Sequence, residues 1–292
     1  MTGATAALAL LTFDAAGSAD GYRLVDPDAP ALRIAELAAT RGDGVFETVG
    51  LVHGAPLKLA RHLARLARSA ELLDLPPQDP AIWSAALHEV AAAIDATDEG
   101  FVKLVLSRGL EGGTTPTGWA YAHVSPSYSH VHAEGLRIVL LDRGYRHDVA
   151  HTSPWLLQGA KTLSYAINRA AFREAERRGA DDVVFVSSDG YLLEGPTSTL
   201  VLRTGDTLRT VRADLGILAG TTQEELFAWA AENGYATTSE LLVPADLAAA
   251  DAAWLVSSVR HAAPIRSVDG APRPVDAELT AAFNAHLRSL AR

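Results

Sequence analysis

The sequence predicts a mixed α/β protein of the α+β class with two domains. Its 292 residues exceed the ~100–200 residues of one ordinary domain, and 48% hydrophobic with 21% charged residues is typical of a chain that buries a core. Predicted strands and helices alternate along the whole chain. We place a small domain at residues 1–127, a linker at 128–134, within a polar stretch of serines and histidines, and a larger domain at 135–292.

Strands and two helices are predicted in the first domain. The turn Arg41–Gly44 precedes a run of strand-forming residues, and a Gly/Thr/Pro loop at 108–118 separates two further runs. Apolar residues recur at helical spacing from Leu59 to Leu73, and Pro76 ends this pattern. The predicted strands cover 45–49, 101–107 and 119–124, and the predicted helices cover 58–75 and 81–95.

Most of the strands are predicted in the second domain. Residues 143–159 are irregular because Pro154 prevents a continuous helix, and Lys161 follows them closely. The helix predicted after Lys161 stops at a basic last turn before Gly179, and Asp189-Gly190 marks a hairpin turn. The predicted strands cover 136–141, 182–187, 191–194, 198–203, 207–211, 252–257 and 265–268, and the predicted helices cover 162–178, 221–232 and 275–290.

The composition excludes several classes of function. The chain has no cysteine, which rules out disulfides, cysteine-bound zinc, iron–sulfur clusters and thiol nucleophiles. A net charge of −10 without basic clusters makes nucleic acid or an anionic membrane a poor partner. No stretch approaches the ~20 apolar residues that span a bilayer. His130 and His132 have no acidic cluster beside them, so we interpret them as solvated linker histidines and predict no metal site. We expect a cytoplasmic protein that acts on small molecules.

Two residues in the second half suggest a reactive centre. Lys161 has apolar neighbours, and in such a setting a lysine can lose solvation and act as an amine nucleophile. The alternative is a surface lysine ahead of a helix. Glu194 ends an apolar strand, where a carboxylate is costly unless it is paired, and it could hold a proton on a heteroaromatic nitrogen. The alternative is a rim glutamate that faces water.

Two hydroxyl-rich segments could bind a phosphate. Thr221-Thr222 follow Gly220 at a predicted helix start, where backbone N–H groups and hydroxyls can cradle an anion and Glu224 could complete a capping box. Ser257-Ser258 come directly after an apolar strand. Ordinary helix capping and an ordinary loop are the alternatives. An amine, a carboxylate for a ring nitrogen and two phosphate contacts are together what pyridoxal phosphate requires from a protein.

In these residues the chain resembles the class IV, fold-type IV pyridoxal-phosphate enzymes. This family includes branched-chain aminotransferases, D-amino acid aminotransferases and 4-amino-4-deoxychorismate lyases. The resemblance covers essentially the whole chain, and it implies a small α+β domain and a larger domain with the cofactor between them, usually in a homodimer. The matching motifs occur in the family's order at Arg41–Glu47, His62–Leu66, Lys161–Tyr165, Leu193–Ser198, Gly216–Thr222 and Ser257-Ser258.

The resemblance implies a role for individual residues. Lys161 corresponds to the lysine that binds the cofactor covalently, and Glu194 to the glutamate at the pyridine nitrogen. Arg65 corresponds to the phosphate-binding arginine. The other cofactor-binding residues that the resemblance implies are Tyr165, Gly220, Thr221, Thr222, Ser257 and Ser258.

The reaction type depends on smaller differences within the family. D-amino acid aminotransferases carry an Arg-x-His pair after the Arg-Gly turn, which Arg108-Gly109 lacks here, and Phe46 stands in place of their tyrosine. Thr-Leu-Ser-Tyr after Lys161 differs from the Gly-x-Asn-Tyr of branched-chain aminotransferases. The resemblance therefore favours a 4-amino-4-deoxychorismate lyase, which makes 4-aminobenzoate and pyruvate for folate biosynthesis.

Two other functions remain open at this point. One is a D-amino acid or related class IV aminotransferase, and the other is a non-catalytic carrier of pyridoxal phosphate. The candidate substrate residues are Phe46, Arg108 and Arg260. Arg260 could hold a substrate carboxylate or be a solvated charge.

Overall fold

The computed structural model describes residues 4–94 and 99–291, which divide into two compact units. The mixed α/β class that the sequence predicts is confirmed. The first unit also contains the segment that carries Lys161, which the sequence assigned to the larger domain. The first unit takes its described residues from Met1–Ser127, Ala160–Tyr165 and Leu290–Arg292, and the second unit takes them from Tyr128–Gly159 and Ala166–Ser289.

The first unit is built on one antiparallel sheet. Its elements in chain order are β1 Ala6–Phe13, β2 Ala19–Val25, α1 Leu37–Thr40, β3 Gly44–Val52, β4 Ala55–Pro56, α2 Leu59–Leu72, α3 Pro80–Ala93, β5 Glu99–Ser107 and β6 Thr117–Val124. Within the described part of the chain, six strands lie in the order β2-β1-β6-β5-β3-β4. Strands β3 and β5 pair from Gly44 opposite Ser107 to Val52 opposite Glu99, so β3 is fixed along its whole length.

One face of this sheet is covered by helices α2 and α3. Along β3, Val45 and Val49 are fully buried whereas Phe46 and Thr48 are only partly buried, the alternation expected of a strand with one covered face. Helix α2 ends at Leu72, before the predicted residue 75, because Asp74 adopts a left-handed backbone with φ of 52°.

The second unit is built on a mixed sheet with its own core. Its elements in chain order are α4 Ser129–Glu134, β7 Leu136–Asp142, α5 Val149–Thr152, α6 Ala166–Arg177, β8 Asp182–Val186, β9 Thr199–Thr204, β10 Thr207–Val211, α7 Thr221–Glu232, β11 Ala236–Glu240, α8 Pro244–Ala249, β12 Ala252–Ser257, β13 His261–Val268, β14 Ala271–Pro272 and α9 Ala277–Ser289. The strands lie in the order β11-β10-β9-β12-β13-β7-β8, and β14 pairs with β13. Leu200, Leu255 and Ile265 are fully buried in its core.

Two predicted segments differ from the structure. Residues 128–134, predicted as a linker, contain helix α4, which packs on β13 and α9 as part of the second unit. The helix predicted over 162–178 begins only at Ala166, because residues 160–165 pair with β3 instead. Of the residues described, no helix is long and apolar enough to cross a membrane.

Candidate active site

Lys161 lies in an extended segment that is bonded to strand β3. The Phe46 N–H donates to the Lys161 carbonyl at 2.9 Å, and the Leu163 N–H donates to the Gly44 carbonyl at 2.8 Å. The Lys161 N–H donates to Ser69 Oγ of helix α2 at 3.1 Å. Sheet pairing and a helix side chain therefore fix the backbone of Lys161, which is not the first residue of a helix as the sequence suggested.

The Lys161 side chain lies against two aromatic rings of the first unit. Its Nζ is 4.6 Å from the centre of the Phe46 ring, a distance at which the ring face attracts an ammonium group. The Tyr165 ring meets Phe46 edge to face, with centroids 5.5 Å apart. The structure thus brings together the predicted nucleophile Lys161, the predicted cofactor residue Tyr165 and the predicted substrate residue Phe46.

Arg65 is held inside the first unit by a carboxylate that the sequence analysis did not single out. Its Nε and Nη2 donate to the two oxygens of Glu47 at 2.6 and 2.7 Å, and His62 Nδ1 donates to Glu47 at 2.7 Å. Glu47 and His62 are fully buried. Burial alone would raise the pKa of Glu47, but Arg65 and His62 outweigh it and lower this pKa to about 2. Burial also lowers the pKa of His62, against the effect of Glu47.

This trio is therefore one carboxylate, one guanidinium and one imidazole that burial keeps neutral. Two of the five N–H groups of Arg65 donate to Glu47, and this bidentate contact fixes the plane of the guanidinium. The sequence carried a signal for the other two residues. Glu47 falls within a buried strand and His62 within a helix beside Leu66, and a polar side chain at such a position requires a partner.

Glu194 lies in the second unit on the segment that pairs with strand β8. The Phe185 N–H donates to the Glu194 carbonyl at 3.0 Å, so the chain returns along β8 after the Asp189-Gly190 turn, but in place of the strand predicted over 191–194 there is one isolated bridge, between Val186 and Leu192. The Glu194 side chain is half-buried, and its Oε1 accepts the Leu218 N–H at 3.2 Å. It therefore differs from a rim glutamate that only faces water.

A cavity opens beside the Glu194 carboxylate. Its lining includes Arg143, Tyr145 and Phe185, and the Arg143 guanidinium lies 4.6 Å from the centre of the Phe185 ring. Burial raises the pKa of the Tyr145 phenol, and the charge of Glu194 raises it further, against the effect of Arg143. The neutral phenol is engaged on both sides, because it donates to Gln158 Oε1 at 2.6 Å and accepts from Arg143 Nε at 3.1 Å.

The two predicted phosphate segments meet in the second unit. Thr221 and Thr222 are buried at the start of helix α7, and Thr221 Oγ1 lies 3.5 Å from Ser258 Oγ, in the turn after Ser257. Helix α7 begins at residue 221 as predicted, and its N-cap is Gly220, which has no side chain.

A side chain at Gly220 would not fit here. A Cβ on this residue would lie 2.3 Å from Thr199 Oγ1, so the backbone of the turn approaches strand β9 more closely than another residue allows. The N-cap Gly220 makes no side-chain contact with α7, and two hydroxyl residues, Thr221 and Thr222, follow it. Backbone N–H groups and hydroxyls at a helix start are a suitable donor set for a phosphate.

Arg108 is engaged within the first unit. Its Nε donates to Asp43 Oδ2 at 2.8 Å, and its Nη2 donates to the Leu73 carbonyl at 2.6 Å, at the end of helix α2. The guanidinium therefore joins the Ser107–Gly109 turn to Asp43 and α2. This contact within the first unit gives no support to the predicted role of Arg108 in substrate binding.

Arg260 is likewise engaged, within the second unit. Its Nη2 donates to Asp182 Oδ2 at 2.6 Å, and the Asp182 side chain is fully buried. The proposed solvated charge is thus wrong, and the proposed contact with a substrate carboxylate has no support in this geometry. His132, predicted as a solvated linker residue, is part-buried, and its Nε2 donates to the Arg260 carbonyl at 2.7 Å.

The residues of each unit fit a part of pyridoxal phosphate. The first unit offers the Lys161 amine and the Arg65 guanidinium, and the second offers the Glu194 carboxylate and the donors around Gly220. An amine for the aldehyde, a carboxylate for the pyridine nitrogen and anion-binding groups for the phosphate are the donors that this cofactor needs. The fold and the site together define a pyridoxal-phosphate enzyme of fold type IV.

Comparison with known proteins gives the family. A model described as amino-transferase class IV matches residues 44–268. The chain is 44% identical over 264 residues to a bifunctional aminodeoxychorismate lyase / D-amino acid transaminase of Mycobacterium tuberculosis, covering 86% of this chain and 90% of that protein. The chain therefore belongs to the class IV aminotransferase family and is a pyridoxal-phosphate-dependent enzyme, as its resemblance predicted.

Solved structures agree with this assignment. A fold IV-transaminase from Curtobacterium pusillum superposes with a TM-score of 0.92 at 50% identity, covering 98% of each chain. A structure described as a hypothetical aminotransferase from Mycobacterium tuberculosis, PLP-bound form, has a TM-score of 0.88 at 40% identity and covers 92% of this chain and 96% of that one.

Proposed function

We propose that this enzyme is a 4-amino-4-deoxychorismate lyase that releases 4-aminobenzoate and pyruvate in folate biosynthesis. The observation that carries the choice is the turn after strand β5, where Arg108-Gly109 is followed by Leu110–Pro116 without the Arg-x-His pair of D-amino acid aminotransferases. The 44% identical relative is named for both aminodeoxychorismate lyase and D-amino acid transaminase activity, so it supports the class of enzyme and leaves the choice to the residues and the assay below.

Lys161 has two tasks in this proposal. Its amine would hold the aldehyde of pyridoxal phosphate covalently in the resting enzyme, and the same nitrogen would serve as a base once the substrate is bound. Nζ then takes the proton from the ring carbon that carries the substrate nitrogen, and supplies a proton to the departing enolpyruvyl group. Proton transfer by a positioned side chain contributes roughly 10²–10⁴-fold in rate.

The remaining residues hold the cofactor and its charge. Pyridoxal phosphate, when bound, supplies an electron sink for the carbon that loses its proton. The Glu194 carboxylate keeps a proton on the pyridine nitrogen, and Tyr165 orients the ring. The residues that bind the phosphate in this proposal are Arg65, Gly220, Thr221, Thr222, Ser257 and Ser258.

A D-amino acid transaminase is the second candidate, because the Mycobacterium tuberculosis relative is named as bifunctional. This reaction would use the same lysine for a proton shift within the substrate. It would leave the amino form of the cofactor on the enzyme, which absorbs at shorter wavelength.

A homodimer and a cytoplasmic location complete the proposal. A second copy of the chain is the partner that the family resemblance implies. Sedimentation of the purified enzyme tests the dimer.

One assay separates the two activities. The purified enzyme with pyridoxal phosphate is given enzymatically generated aminodeoxychorismate, and aromatic amine and pyruvate are measured; a parallel sample receives D-alanine and 2-oxoglutarate. We expect 4-aminobenzoate and pyruvate in equal amounts. Transamination of D-alanine without any 4-aminobenzoate would replace the lyase by the second candidate.

Two lysine variants test the role of Lys161. Lys161→Ala removes the amine, whereas Lys161→Arg keeps a cation beside Phe46 but cannot bind an aldehyde; Lys58→Arg makes the same exchange at another lysine. We expect both Lys161 variants to lose turnover and the absorbance of the covalently bound cofactor, and Lys58→Arg to keep both. Turnover that persists in Lys161→Ala contradicts the proposal.

A further inference from the structure

The turn between strands β12 and β13 is braced by three other elements of the second unit. It consists of Ser258, Val259 and Arg260, and it joins Ser257 to its strand partner His261. We propose that the Arg260–Asp182 ion pair positions this turn and so fixes Ser257 and Ser258 for the cofactor phosphate. This inference rests on the proposed role of those serines.

The ion pair is the first brace. Arg260 Nη2 donates to Asp182 Oδ2 at 2.6 Å, and the two side chains are 16% and 0% exposed. The other carboxylate oxygen of Asp182 accepts the N–H of Val183 at 2.7 Å, so Asp182 is held by its own strand, β8. Removing one member of a buried ion pair leaves the other charge uncompensated, so the turn cannot relax away without cost.

Backbone contacts provide the second and third braces. His132 of helix α4 donates from Nε2 to the Arg260 carbonyl at 2.7 Å. Asn284 of helix α9 accepts the Ala262 N–H at 2.9 Å and donates to the Ala262 carbonyl at 3.0 Å. Between these contacts, His261 adopts a φ of 58°, a conformation that a non-glycine residue keeps only where its surroundings fix it.

The braced turn reaches the start of helix α7. Ser258 Oγ lies 3.5 Å from Thr221 Oγ1, so the hydroxyls of the two phosphate segments share one location. A group that binds a phosphate must be held within a fraction of an ångström to be effective. Arg260 is thus a positioning residue that acts through the turn, and its charge is balanced by Asp182 rather than by a substrate.

The test compares two ligands that differ only in the phosphate. Apoenzyme is titrated with pyridoxal phosphate and with pyridoxal. The dissociation constant of pyridoxal divided by that of pyridoxal phosphate measures what the phosphate contributes to binding. We expect Arg260→Met and Asp182→Asn to lower this ratio about tenfold. The displaced turn should lose about one hydrogen bond to the charged phosphate, and such a bond has about this effect on a dissociation constant. Arg260→Lys, which keeps the charge, should recover part of it. Phosphorus NMR of bound cofactor should show a shifted and broadened signal in the Met variant.

Arg209→Met is the matched control. Arg209 of strand β10 pairs with Glu240 at 2.9 Å and Asp246 at 3.1 Å, remote in sequence from the turn, and its loss should lower thermal stability without changing the ratio. An unchanged ratio in Arg260→Met, or an equal loss of affinity for both ligands, overturns the inference. A wild-type enzyme that binds pyridoxal as tightly as pyridoxal phosphate would instead refute the proposed phosphate site.

Discussion

The Arg65 guanidinium grips both carboxylate oxygens of Glu47, at 2.6 and 2.7 Å, inside the first unit. A charged pair of this kind is costly to break from one side, because the remaining charge stays buried without compensation. The orientation of Arg65 and the stability of the first unit therefore depend on the same contact.

Replacing Glu47 by Gln should destabilise the protein strongly. We expect a loss of about 3–5 kcal/mol in the free energy of unfolding, measured by urea titration, because the variant leaves Arg65 charged and without its carboxylate. The comparison variant is Asp214→Asn, which breaks a pair with Arg212 whose side chains are half exposed. That variant should lose less than about 1 kcal/mol. Equal losses in the two variants would contradict the argument.

Stability should fall in acid, and Glu47 should account for part of the fall. Its pKa is about 2 in the folded protein and near the ordinary value of 4.5 in the unfolded chain, so its contribution is complete above pH 4.5 and disappears as the pH falls towards 2. His62 acts in the same direction from a higher pH, because burial lowers its pKa below the ordinary 6.5. Urea titrations across this range should show a shallower pH dependence in Glu47→Gln than in the wild type. Parallel curves would be evidence against this assignment.

Gly220→Ala should weaken binding of pyridoxal phosphate. The new Cβ would lie 2.3 Å from Thr199 Oγ1 and 3.2 Å from Thr199 Cβ, so either strand β9 or the start of α7 must move. Overpacking of this kind costs about 1–3 kcal/mol, and where the strain falls on the cofactor-binding turn this corresponds to about 5- to 150-fold in the dissociation constant of the cofactor. The double variant with Thr199→Ala removes the nearer atom and should recover much of the loss. Full affinity in Gly220→Ala would show that the turn tolerates a side chain.

Arg108→Met should leave the KM for substrate nearly unchanged. Its partner Asp43 is 32% exposed and Arg108 itself 41%, so the pair should contribute less than about 1 kcal/mol to stability. Steady-state kinetics of pyruvate release provide the measurement. A rise in KM of tenfold or more, with unchanged thermal stability, would restore Arg108 as a substrate residue.

Local patterns predicted those parts of the fold that local forces determine. Helix α7 starts and ends where predicted, because a glycine turn and a run of helix-forming residues agree there. The helix after Lys161 was predicted four residues early, since its first residues take their hydrogen bonds from β3, more than a hundred positions away in the chain. Strand β11 was not predicted, because Ala236–Glu240 is polar and largely exposed and shows no apolar alternation.

The same limit applies to the candidate site. The motifs located Lys161 and Glu194, whose chemistry can be argued from residue type and neighbours. The partners that redefine Arg108 and Arg260 could not be inferred, because Asp43 is 65 positions from the first and Asp182 is 78 positions from the second. Only the folded chain shows that these two cations are already balanced.

The six-residue segment that carries Lys161 belongs to the first unit, while the chain on both sides of it belongs to the second. A single cut in the chain therefore cannot separate the two units, because the first unit includes a segment from within the sequence of the second. In a chimaera with residues 1–127 from one relative and the remainder from another, strand β3 would come from the first protein and the Lys161 segment that bonds to it from the second. A viable chimaera must keep the backbone hydrogen bonds that Gly44 and Phe46 make with residues 160–165. Sequence changes in the first sheet and in this distant six-residue segment are therefore expected to depend on each other.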